Sequence, residues 1–206
     1  MRFISWSRVE RHVLLAREAS RRADAPLASV EWGDARELPW EDDSGDTVLL
    51  LGPLYHLTER DERLQALRET YRVLHPGGLA VVAAISRFAS TYDGLVSGFL
   101  DDEYFEKIVE RDVREGQHRN PSRRPGWFTT AYFHLPDELA AEISGAGFED
   151  VEVLAVEGPG WLVPDLQERL DDPERLDRLL GVIERVEREP SLLGASAHLL
   201  AIGRRP

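Results

Sequence analysis

Residues 33–85 read GDARELPWEDDSGDTVLLLGPLYHLTERDERLQALRETYRVLHPGGLAVVAAI, and this stretch decides the fold. Thr47 to Leu51 is a near-continuous apolar run, the pattern of a strand covered on both faces in a parallel sheet. Thr58 followed by Asp61 reads as a capping box with Asp in the acidic position, and Leu64, Leu67, Tyr71 and Leu74 continue at helical spacing. Pro76, Gly77 and Gly78 then stop that helix, and Leu79 to Ile85 reads as a second buried strand. Strand, helix and parallel strand imply a right-handed crossover. No glycine-rich phosphate or cofactor loop precedes the unit.

Outward from this unit the same alternation continues. Phe3 to Trp6 suits a short strand, Val9, Val13 and Ala16 mark one face of a helix, and Leu27 to Trp32 suits a further strand ending at Gly33. From Arg87 to Phe128 aromatic and charged residues mix, ending in the basic loop HRNPSRRPGW, and residues 87–128 are expected to form a cap inserted into one domain of residues 1–206. Pro136 fits a first helical position, with Leu139, Ile143 and Ala146 on one face and Gly147 as terminator. Val151 to Val156 is a strand. A last helix from Pro173 should turn Leu176, Leu179, Leu180 and Ile183 inward, before a closing strand over Ala197 to Ile202. The expected class is α/β, with a mostly parallel sheet flanked by helices. Gly158-Pro159-Gly160 begins like a cofactor loop but has Val163 where the third glycine belongs, so it reads as a turn.

Composition narrows the function. Thirty-eight acidic against 25 basic residues give a formal charge of -13, which repels nucleic-acid phosphates. The bases are nearly all arginine, with Lys107 the single lysine. Without cysteine there is neither a disulfide framework nor a cysteine zinc site, and His56, His118 and His134 share no ligand spacing, so no metal is expected. No apolar run reaches membrane-spanning length, and a cytoplasmic location is the expectation.

The ordered pieces GDARELPW, LLLGPLYHL and RVLHPGGL resemble class I S-adenosylmethionine-dependent methyltransferases, a likeness that spans roughly Val9 to Arg205. The resemblance implies a Rossmann-like fold with strand order 3-2-1-4-5-7-6, S-adenosylmethionine as cofactor and a small-molecule methyl acceptor. It also implies a chain that starts too late to hold the first strand, the Gly-x-Gly loop and the ribose-binding acid, with Ser7 where that acid would stand. Cofactor binding is then expected to be weak. A non-catalytic remnant that binds a ligand or partner is the alternative. The bared edge of Thr47 to Leu51 should be filled by Phe3 to Trp6, by a second copy in a homodimer, or by aggregation.

By the same resemblance Asp34 would accept from the adenine amino group and the Ala35 amide would reach the ring, although Gly-Asp also commonly caps a turn. Leu51 and Gly52 end a strand at the sheet edge where open α/β folds bind ligands, and Gly52 either permits close backbone approach or simply ends the strand before Pro53. Tyr55 and His56 follow, with His56 as candidate base or structural residue. His118, Tyr132 and His134 are candidates for lining an acceptor cleft with Tyr55, although Phe128, Tyr132 and Phe133 suit core packing equally well.

Overall fold

The computed structural model describes residues 4–206. It opens with β1 (Ile4–Ser7), α1 (Glu10–Arg22), β2 (Ser29–Trp32) and β3 (Gly45–Leu50). The short α2 (Pro53–His56), α3 (Arg60–Val73) and the long β4 (Leu74–Ser86) follow. Segment 87–128 contains α4 (Ala89–Ser97), α5 (Glu103–Glu115) and β5 (Gln117–His118). Next come β6 (Ala131–His134), α6 (Pro136–Gly145), β7 (Glu149–Ala155), α7 (Leu166–Asp171), α8 (Pro173–Val186) and β8 (His198–Arg204). Among the described residues no helix is long and apolar enough to cross a membrane.

The central sheet runs β5-β6-β4-β8-β7, with β3 also on β4. Its long middle strand makes this possible. Thr47 to Leu50 pair with Leu79 to Val82, and past the end of β3 the last two residues, Ile85 and Ser86, pair with Phe133 and His134 of β6. The other edge of β4 carries β8. The sheet is more mixed than the apolar runs suggested: β3 and β6 lie parallel to β4, but β8 is antiparallel to both β4 and β7, and β5 to β6. The difference lies in the last strand: β8, reached from β7 through α7 and α8, inserts between β7 and β4 and runs opposite to both.

Burial also corrects the reading of β3. Val48 and Leu50 enter the core with Leu67 and Val82, whereas Leu49 is 53% exposed and Leu51 56%. One face is therefore uncovered. Ile4 to Ser7 does not fill the edge, because β1 pairs in parallel with β2 as a separate two-stranded sheet. Phe3 lies outside the described residues.

The capping box at Thr58 is not formed. Helix α3 begins one residue later than that motif requires, with Glu59 at the N-cap and no side-chain cap bond. The helix also ends at Val73, before Pro76, so the glycines serve the strand instead. A Cβ on Gly78 would sit 2.9 Å from the His75 carbonyl and 3.0 Å from that of Asp46, which explains glycine at this crowded crossing. In α8, Leu176, Leu179 and Ile183 are half-buried but Leu180 is exposed, so the buried stripe is narrower than expected.

Two apolar bodies support the site. The main core joins Leu50, Leu67, Leu139, Ile143 and Leu199, and a second joins Phe105 and Ile108 of α5 to Trp127. With Phe105 and Ile108 turned inward, Lys107 stands on the outer face of α5, its ammonium 5.7 Å from the Tyr104 ring.

Candidate active site

The carboxyl ends of β3, β4 and β6 converge on one side of the sheet. Beyond β3, Gly52 adopts φ +133°, a conformation that favours glycine, and it caps the short α2. A Cβ there would lie 3.4 Å from the Tyr55 hydroxyl. Tyr55 is half-buried and packs against Ile85, Ala131 and Phe133, and burial pushes its phenol above the ordinary value. His56 is exposed, with its ring 4.7 Å from that of Tyr55 and nearly parallel to Phe128 at 6.1 Å.

Asp34 sits in the turn after β2. It accepts from the Arg36 backbone N–H at 2.9 Å, from Arg36 Nε at 3.1 Å and from Arg36 Nη2 at 2.7 Å, and Arg8 lies 3.3 Å away. These Arg36 bonds, with both guanidinium charges, hold its carboxyl below the usual range despite partial burial. The turn-capping role is thus real, and an adenine amino group would share this carboxylate with Arg36. Ala35 is buried in the same turn.

Next to this edge lies a cavity of about 210 Å³ at the ends of β4 and β6. Phe128, Phe133, Trp127 and Trp161 give it aromatic walls, and Ser90, Asp93, His118 and His198 give it polar ones. Phe128, itself at φ +54°, and Gly126 line both this cavity and a larger, more open hollow of about 580 Å³ that also meets Asn120, Arg123 and Arg124. The fold brings Tyr55, His56 and His118 together around Phe128. Inside the cavity, His118 is stacked on Phe133 at 4.7 Å, with Nδ1 2.7 Å from Asp112 Oδ2 and Nε2 2.9 Å from the Trp127 carbonyl. Both ring nitrogens are engaged, which leaves His118 a shape-defining wall.

Tyr132 and His134 lie elsewhere. The Arg63 guanidinium covers the Tyr132 ring at 3.7 Å, and His134 Nε2 is 3.3 Å from Glu142 Oε2 in full burial. Burial pushes Glu142 up, but bonds from His134 and Arg63 outweigh it and hold the carboxyl at about 2. Burial also lowers His134. The two shifts conflict if His134 is taken as the charge that holds Glu142 down, so the ionic partner is Arg63, and neutral His134 donates through Nε2–H. These residues tie β6 to α3 and α6; neither Tyr132 nor His134 lines the cavity.

Sequence reasoning missed His198 and Glu157. Glu157 accepts from His198 Nδ1 at 2.5 Å, from the His198 backbone N–H at 2.9 Å and from Ser196 Oγ at 2.8 Å. Burial raises this carboxyl and those bonds overcome it, leaving it at about 2. The bond to Glu157 raises His198. The only sequence signal was a histidine at the start of the last strand, 41 positions from its partner.

The methyltransferase domain family matches residues 8–82. Curated relatives include 27-O-demethylrifamycin SV methyltransferase of Amycolatopsis mediterranei, 28% identical over 158 residues, covering 68% of this chain and 57% of that protein. Demethylmenaquinone methyltransferase of Staphylococcus carnosus is 32% identical over 133 residues, 61% of this chain and 49% of that one. The chain thus spans about half the length of these relatives. In fold, a S-adenosylmethionine-dependent methyltransferase from Mesorhizobium loti aligns with 99% of this chain and 80% of its own at a TM-score of 0.58 and 17% identity.

Proposed function

We propose that the chain, whose residues 8–82 match the methyltransferase domain family and whose relatives include methyltransferases, contributes to methyl transfer onto a small organic acceptor held in the aromatic cavity. The observation that carries this reading is the position of Tyr55, which touches the Gly52 turn on one side and the Phe133 wall on the other. The cofactor edge and the acceptor cavity are therefore neighbours.

The residues present fit the adenine half of the cofactor. Asp34 and Ala35 offer an acceptor and an amide, Gly52 leaves backbone accessible, and Leu49 and Leu51 supply exposed apolar surface. When bound, the cofactor supplies an electrophilic methyl group on a sulfonium. The chain's own contribution is mostly positioning, because holding two reactants aligned removes several kcal/mol of barrier. Phe128, Phe133, Trp127 and Trp161 offer flat apolar faces to a planar acceptor. His56, stacked on Phe128, sits at the mouth. Two named relatives act on a rifamycin and on a demethylmenaquinone, and these walls suit a single ring of such an acceptor. Segment 87–128, which carries α4 and α5 over the cavity, is the cap in this reading.

Calorimetric titration with S-adenosylmethionine, followed by transfer of labelled methyl to a panel of phenols, quinols and amines, tests the proposal. Weak saturable binding and label transfer that persists in chelator are expected. Neither heat nor transfer at any accessible concentration would overturn it.

A further inference from the structure

The cavity holds four polar side chains, and they are not equivalent. His118 has both ring nitrogens committed to Asp112 and Trp127. Ser90 Oγ lies 3.4 Å from the same imidazole, and Asp93 accepts from Ser97 Oγ at 2.9 Å. His198 differs. Its Nδ1 is fixed against Glu157, and among the described residues Nε2 has no hydrogen-bond partner. With Nδ1–H donating to the carboxylate, the neutral ring carries its lone pair on Nε2.

We propose that His198, oriented by Glu157, is the proton acceptor for a phenol-like hydroxyl bound in this cavity. The assignment rests on the acceptor reading above and narrows it to an O–H on an aromatic ring. The step is balanced: the O–H bond breaks, the proton goes to His198 Nε2, and the neutral pair becomes phenolate and imidazolium. Glu157 stabilises the imidazolium, as a carboxylate does for any paired histidine base. A cavity of about 150 Å³ is enough for benzene, so the space here accommodates one hydroxylated ring between Phe133 and Trp161. The titratable groups that face the histidine are Glu157 just past β7 and, across the cavity, Asp93 of α4 and His118 of β5. Glu157, in direct contact, raises the histidine and makes it the stronger base.

The test uses the full chain and 4-nitrophenol, whose phenolate absorbs visible light. Bound probe should ionise about one pH unit below free probe, roughly a tenfold higher phenolate fraction at a given pH. His198→Gln should bind it without that shift, and Glu157→Gln should shrink the shift. Nitrogen NMR of the His198 ring should show the Nδ1–H tautomer and a titration midpoint that drops in Glu157→Gln. A shift that survives His198→Gln, a shift lost in Asp93→Asn instead, or a wild-type protein that does not bind the probe would overturn the assignment. The two readings fail separately. Probe ionisation without S-adenosylmethionine binding sinks the transferase and spares the base, whereas methyl transfer to phenols undiminished in His198→Gln does the reverse.

Discussion

Arg63 and Glu142 lie 79 residues apart in sequence and meet as a bidentate pair, Nε to Oε2 at 2.9 Å and Nη2 to Oε1 at 2.7 Å, with both side chains buried. Arg63 also donates to the Leu57 and Thr58 carbonyls, so the pair ties the end of α2 and the start of α3 to α6. Removing either partner strands the other charge in the core. Arg63→Met or Glu142→Leu alone should therefore cost about 3 to 5 kcal/mol, and the double variant should recover most of it. Urea denaturation of the three variants checks this, and equal losses in single and double variants would argue against a compensated pair.

Acid should unfold the protein through the same cluster. Glu142 has a folded pKa of about 2 against an ordinary 4.5, so its stabilisation is present above the ordinary value and disappears as pH falls toward 2. His134, lowered from 6.5, is held neutral by the fold, and its contribution also fades as pH drops below 6.5. The two act in one direction. Melting temperatures should fall steadily from near neutrality downward, and less steeply in a His134→Gln variant. A flat profile over that range would refute the linkage.

Asp34→Ala should weaken S-adenosylmethionine binding by about 1 to 3 kcal/mol, the range for losing a bond to a charged acceptor. Arg8→Ala removes only the longer 3.3 Å contact and should leave the affinity nearly unchanged. Calorimetry distinguishes them. Equal affinity in wild type and Asp34→Ala would confine Asp34 to its bonds with Arg36.

The uncovered edge of β3 should make the chain self-associate. Among the described residues β3 pairs only with β4, and its outer face shows Leu49 and Leu51. Unpaired strand edges with apolar neighbours invite a second copy. Light scattering should show a mass that rises with concentration, and Leu49→Lys should return it toward the monomer. A wild-type protein monomeric at high concentration would exclude the homodimer.

Local chemistry made much of this fold readable. The apolar runs at β3 and β4, the proline that opens α6 and Gly147 after it all mark elements that form, although β4 already begins at Leu74, because backbone geometry and burial act on adjacent residues. The uncovered face of β3 was not readable. Leu49 is apolar whether or not anything covers it, and cover depends on strands distant in sequence. The same limit hid the base: His198 and Glu157 are joined only once β8 has returned beside β7. Tyr132 and His134 had the right chemistry for a cleft, but Arg63, unremarkable in the helix pattern of α3, draws them into a buried network.

Lys107 has a practical consequence. An arginine-dominated surface leaves one side-chain amine for acylating reagents, on the solvent face of a helix whose opposite face packs on Trp127 at the cavity wall. A fluorophore attached there would share the chain only with whatever dye reacts at the terminal amine, which mildly acidic labelling can favour and a second batch can subtract. Emission from α5 with and without a phenol in solution then becomes a direct comparison, made without cysteine engineering and without an assay for the product.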